Sequence, residues 1–127
     1  MVWQEVFVNR KLKKNEILSA LGNAFNISIN SILVARSIDD IEVENNIKVL
    51  CQTYIVDAEY SMKLSIYLRD DKLIPKNDLQ IIAKLCEILD VEVLVSDYSA
   101  NPFTMLHVNR LEVDIDKYDE AEEYETE

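Results

Sequence analysis

A single glycine and a single histidine in 127 residues remove most of the common catalytic signatures at once. Walker loops and dinucleotide fingerprints each need several glycines so that backbone can approach phosphate, and Gly22 stands alone. With only His107 there can be no paired-histidine zinc site and no H-E-x-x-H helix. A Cys2His site would have to gather Cys51, Cys86 and His107 from three separate elements. His107 lies between Leu106 and Val108 in a strand-like run, on the opposite parity, which is the ordinary position of a partly exposed strand residue. The two cysteines fall inside apolar runs without C-x-x-C spacing and read as buried, reduced thiols. In MVWQEVFVNRKLKK the charge follows the apolar run, the reverse of a secretory signal, so a cytoplasmic location is expected. No apolar stretch approaches the roughly 18 residues of a membrane span. An apparent calcium loop, with Asp114, Asp116 and Glu125 at its first, third and twelfth positions, has Asp119 where the turn needs glycine. The sequence therefore predicts no catalytic residue, no metal and no cofactor.

What is present is a well-patterned globular chain. Apolar residues make up 49% and charged residues 29%, the proportions of one ordinary folded domain. In YSMKLSIYLR, Tyr60, Met62, Leu64, Ile66 and Leu68 alternate with polar residues, the period of a half-buried strand. IKVLCQTYIV before it is apolar on both parities, and Asp57-Ala58-Glu59 joins the two as an antiparallel hairpin. Two helices are legible. In NEILSALGNAFNI, Asn15 is placed to cap a stripe of Ile17, Leu18, Leu21, Ala24 and Phe25. In PKNDLQIIAKLCEILD, Asn77 and Gln80 have capping-box spacing.

Further strands are expected in VWQEVFV, in SILVAR, in VEVLVSD and in two short runs of FTMLHVNRLEVDI joined by a turn at Asn109-Arg110. The order β-α-β-β-β-α-β-β predicts an α+β fold, a mainly antiparallel sheet with two helices packed on it. With glycine absent from turns, Asn45-Asn46 and Asp70-Asp71 should make them. Gly22, inside the first helix, implies close packing of that helix on the sheet.

Charge is unevenly spread. The net charge is −11, and residues 112–127 hold nine acids against one Lys, while residues 1–111 are nearly balanced. This divides the chain into a domain over 1–116 and an acidic tail over 117–127. The basic cluster Arg10 to Lys14 has no interleaved aromatics and reads as a solvated loop and helix entry, so nucleic acid should be repelled. Two segments are candidate partner contacts. The loop SDYSANPF displays Asp97, Tyr98 and Asn101 beside Pro102, which restricts the backbone. The C-terminal segment offers Asp114, Asp116, Asp119, Glu120, Glu122 and Glu123 to steer a basic partner, with Tyr118 as an anchor.

The layout of the chain carries a resemblance. A strand ending LSIYLRD, an apolar helix LQIIAKLCEIL, a strand VEVLVSD and a polar loop into NPFTMLHV, preceded by VFVNRKLKKNEILSALGNAFNIS, resemble the immunity proteins of bacterial polymorphic and contact-dependent toxin systems over residues 1–115. The resemblance implies tight binding of a cognate toxin domain and occlusion of its active site or substrate path, without catalysis. An acidic domain suits a basic, nuclease-type partner. The reading from a different class is a small acidic assembly chaperone or adaptor unrelated to toxins.

Overall fold

Alternation of side chains along the strands decides how this chain divides into layers. The computed structural model describes residues 2–39, 42–96, 104–108 and 116–119. Their strands are β1 (Val2–Val8), β2 (Ile32–Ala35), β3 (Val49–Ile55), β4 (Met62–Leu68), β5 (Val93–Ser96), β6 (Thr104–Val108) and β7 (Asp116–Asp119). Two helices, α1 (Lys14–Phe25) and α2 (Asp78–Leu89), complete the fold with single 3-10 turns at Ile29–Ser31 and Asp71–Leu73. The strands form one sheet in the order β2-β3-β4-β1-β5-β6-β7. Every pairing is antiparallel except β2 with β3. The architecture is the expected α+β arrangement. The parallel pair is possible because residues 36–48 give the chain enough length to return to the same end of the sheet.

One face of the sheet is covered by both helices. Val6 and Val8 of β1, Leu64 and Ile66 of β4, Val49 and Cys51 of β3, and Val93 and Val95 of β5 are buried with Ile17 and Leu21 of α1 and Ile82, Leu85 and Cys86 of α2. Helix α1 packs over β2 and against α2, and α2 reaches β6, where the Cys86 thiol lies 3.6 Å from the Val108 carbonyl. Both cysteines are free and buried, as the sequence predicts, and burial pushes each thiol up to about 12. A slip in register between Val2 and Gln4 makes Trp3 the extra residue of a β-bulge. The Trp3 ring then meets Phe25 of α1 edge-on at 5.4 Å, and both Trp3 and Gln4 donate to the Asp78 carboxylate at the start of α2, at 3.1 and 3.2 Å.

Local expectations fare unevenly. Asn77 caps α2 as predicted, its side chain accepting the Gln80 N–H at 3.3 Å. Helix α1 begins one residue before Asn15: Lys13 is the cap position, and Glu16 reaches back to accept its N–H at 3.0 Å while Arg10 holds the same carboxylate at 3.0 Å. That pairing lowers the Glu16 carboxyl below its ordinary value, the Arg10 hydrogen bond first and the Lys13 N–H second.

The hairpin β3–β4 closes with Val56 N–H donating to Ser61 O at 2.9 Å, around the predicted Asp57–Glu59. Asn45-Asn46 makes a turn as predicted, closed by the Ile47 N–H donating to Glu44 O at 3.2 Å, and Asp70-Asp71 opens the 3-10 turn, the Leu73 N–H donating to Asp70 O at 3.0 Å; left-handed backbone occurs instead at Asn26 and Asp90, the residues ending α1 and α2. A Cβ on Gly22 would stand 3.2 Å from the Ile27 carbonyl and 3.8 Å from Ile32 of β2, so the chain leaving the helix is an even closer neighbour than the sheet. The predicted Asn109-Arg110 turn lies outside the described residues. The β6–β7 register runs from Thr104 opposite Asp119 to His107 opposite Asp116, while the expected run of Leu111, Val113 and Ile115 lies outside the described residues.

Candidate partner-binding face

The face of the sheet turned away from α1 and α2 is carried by the alternate residues of the same strands. The strand registers align one transverse row across it: Tyr54 of β3 beside Lys63 of β4, then Phe7 of β1, Leu94 of β5, His107 of β6 and Asp116 of β7. Next to it Gln52, Ser65 and Glu5 line up, and beyond them Leu50 and Tyr67. IKVLCQTYIV is apolar on both parities for this reason: Val49 and Cys51 enter the core, while Leu50 and Tyr54 stay half-exposed on the open side.

This surface is braced rather than loose. The Lys63 ammonium sits 4.3 Å from the centre of the Tyr54 ring and 3.6 Å from a Glu5 carboxylate oxygen, so one cation ties β3, β4 and β1 together across the face. Its aliphatic stem lies along the sheet, leaving the side chain 25% exposed. Tyr67 is held above the ordinary phenol value, first by desolvation and then by Tyr54, Glu5 and Asp39. Phe7 and Tyr67 are also half-exposed, while Leu94 is buried at 4% although it belongs to this face and not to the core under the helices. In chemical terms the cluster is a set of half-exposed aromatic rings held around one satisfied charge pair.

His107 sits where its parity predicts, partly exposed on this face, with Nε2 3.6 Å from a Glu92 carboxylate oxygen. No group of three His, Cys, Asp or Glu among the described residues could hold a metal ion. The described helices include none long and apolar enough to cross a membrane.

Most of the sequence-predicted contact residues are not among the described residues. Asp97, Tyr98 and Asn101, and likewise Asp114, Glu120, Glu122 and Glu123, lie outside the described residues. Asp116, Tyr118 and Asp119 belong to β7, where Asp116 is in register with His107, Tyr118 with Met105 and Asp119 with Thr104. The backbone thus brings Asp116 to the end of the transverse row. Sequence reasoning missed Phe7, Leu50, Tyr54, Lys63 and Tyr67 as a surface. Their signal was the apolar and aromatic content on the outer parity of β1, β3 and β4, where a solvated sheet face would be uniformly polar. No protein-family model, curated protein or solved structure matches the chain.

Proposed function

We propose that this chain is an inhibitory binding module, an immunity protein that neutralises a cognate basic toxin domain, of nuclease or similar type, by covering its active site or substrate path. The observation that carries the reading is the open sheet face: helices occupy one side of the sheet, and the other presents Phe7, Leu50, Tyr54 and Tyr67 half-exposed around the Lys63–Glu5 pair. Tyrosine is enriched among the residues that dominate binding energy, because its ring buries a large area at small entropic cost and its hydroxyl keeps a polar handle.

The net charge of −11 supports a basic partner, drawn in by long-range attraction that is strongest at low salt. The resemblance of the sequence layout over residues 1–115 to that of immunity proteins supports a toxin as that partner. Inhibition by occlusion asks nothing chemical of the inhibitor, so no residue is assigned a catalytic role, nucleic acid is not a ligand, and the complex forms inside the producing cell. The acids of residues 112–127 act on the association rate, and deletion of 117–127 should slow association at low salt and flatten its salt dependence.

The test is a rescue experiment. Where a gene for a large secreted toxin lies beside this one, its C-terminal domain is produced alone in a sensitive host, where it should arrest growth, and together with this chain, where growth should resume; absence of such a neighbour favours the adaptor reading. Arrest that persists despite equal amounts of folded chain would overturn the toxin reading.

A further inference from the structure

A second concavity lies on the helix side of the sheet, away from the open face. Strands β1, β2 and β3 run in the same direction, and at their carboxyl ends the cover given by α1 stops short. Ile55, the last residue of β3, is 56% exposed on that side. Between the loop 11–13, the first turn of α1 and the ends of β2 and β3 is a cavity of about 640 Å³. That volume falls in the range of small-molecule sites, roughly 300–1,000 Å³. Its floor is apolar, formed by Leu12, Ile17, Val34, Ile55 and Met62.

Four of its lining residues are cations: Lys11, Lys13, Lys14 and Arg36. In a chain of net charge −11 with only 13 Lys and Arg, that concentration is the reverse of the whole molecule's field. None of the four is in an ion pair among the described residues, whereas Arg10 just before them is spent on Glu16. One further group in the lining lacks a good partner. The buried N–H of Leu12 donates to the Met62 sulfur at 3.4 Å, and a thioether is a weak acceptor. An apolar floor, a cationic rim in which only Lys13 has an acid, Glu16, near enough to feel its charge, and an under-used buried donor together describe the complement of one ligand class.

We propose that this cavity binds a small organic carboxylate with an apolar body, its chain or ring on Val34, Ile55 and Met62 and its carboxylate at the cationic rim. Arg36 supplies a planar fork matched to a carboxylate, and the lysines supply charge without fixed geometry. The apolar body is needed because exposed lysines alone hold a small anion weakly in water. The site is independent of the partner reading, since it lies on the other side of the sheet and uses none of the open-face residues.

Decanoate is the probe, titrated at submillimolar concentration into the full chain carrying 13C-labelled Ile, Leu, Val and Met methyl groups. Saturable shifts confined to Leu12, Ile17, Val34, Ile55 and Met62 are expected, with decanol and acetate each binding about tenfold more weakly or worse, because each lacks half of the complementarity. Lys14 and Arg36 are exposed, so the double variant Lys14→Glu/Arg36→Glu should fold as the parent does, which its methyl spectrum checks, and should lose decanoate affinity by about tenfold or more. Arg36→Lys, which keeps the charge, should retain most of it. Decanol binding as tightly as decanoate, shifts spread over Leu50 and Leu94 on the open face, or an unchanged affinity in the charge-reversed variant would each overturn the proposal. Absence of any saturable shift would overturn it as well.

Discussion

Replacing Asp78 by Ala severs the point where the edge of the bulged strand is fastened to the second helix. Its two carboxylate oxygens accept from the Trp3 indole at 3.1 Å and the Gln4 amide at 3.2 Å, and Gln4 is only 4% exposed. Hydrogen bonds to a charged group contribute about 1.5–3 kcal/mol each, toward the lower end here because both are only part-buried. An acid in the first turn of a helix adds about 0.3–1 kcal/mol. Gln4 has a further interaction, so its amide is not wholly stranded by the change. The expected loss for Asp78→Ala is therefore about 2–4 kcal/mol. Asp78→Asn keeps an acceptor for the indole and should lose about half as much.

Equilibrium urea unfolding followed by circular dichroism measures both. A cycle with Trp3→Phe, which keeps an aromatic ring against Phe25 but deletes the donor, should give a coupling of about 1–2 kcal/mol. A loss under about 0.5 kcal/mol for Asp78→Ala, or additivity in the cycle, would refute the claim that this carboxylate ties strand to helix.

Other consequences follow from single groups. Cys51 and Cys86 should resist thiol reagents at pH 8 in the folded protein and react on unfolding. Because the folded thiols ionise near 12 and an ordinary thiol near 9.0, stability is unaffected below pH 9 and falls between those values, which urea midpoints across that range would show. Glu16 has its folded carboxyl lowered, so its contribution is present above the ordinary value of 4.5 and is lost as pH falls through the folded value; Glu16→Gln should flatten the acid limb of the stability curve. Gly22→Ala should fail to yield the roughly 1 kcal/mol that Ala normally adds within a helix, since the new Cβ meets the Ile27 carbonyl at 3.2 Å; a full gain in thermal stability would show that contact to be soft.

The layers of this fold were readable because their signals are periodic. Alternation in β4 and the apolar stripes of α1 and α2 identify each element and its buried face without knowledge of its neighbours. Asn77 as a cap followed from a spacing rule in the same way. Asn15 failed as a cap because Glu16, held by Arg10, reaches back to the Lys13 N–H and sets the cap of α1 two residues earlier. The parallel pairing of β2 with β3 and the bulge at Trp3 also depend on partners distant in sequence, which no local window contains.

The candidate face was the least legible part. Phe7, Tyr54, Lys63 and Tyr67 come from three strands, and only register makes them neighbours. The strongest local signals are instead the acidic C-terminal residues and the loop at 96–103. The cationic cluster was seen and read as solvated, since Arg36 and the apolar floor that turn it into a cavity lining lie far away in the chain.

The central claim is that the open sheet face binds a partner. Titration calorimetry of the toxin domain that this chain rescues against the parent chain and against Tyr54→Ser/Tyr67→Ser measures this directly. Each ring is half-exposed and Tyr54 also carries the Lys63 ammonium, so the double variant should lose about 1–2 kcal/mol of stability yet stay folded at the titration temperature, which circular dichroism checks. A tight one-to-one complex is predicted for the parent, weakened about 100-fold in the variant, as expected when two anchor rings of about 1.5 kcal/mol or more each are removed. Equal affinity of parent and variant for the toxin domain would contradict the account.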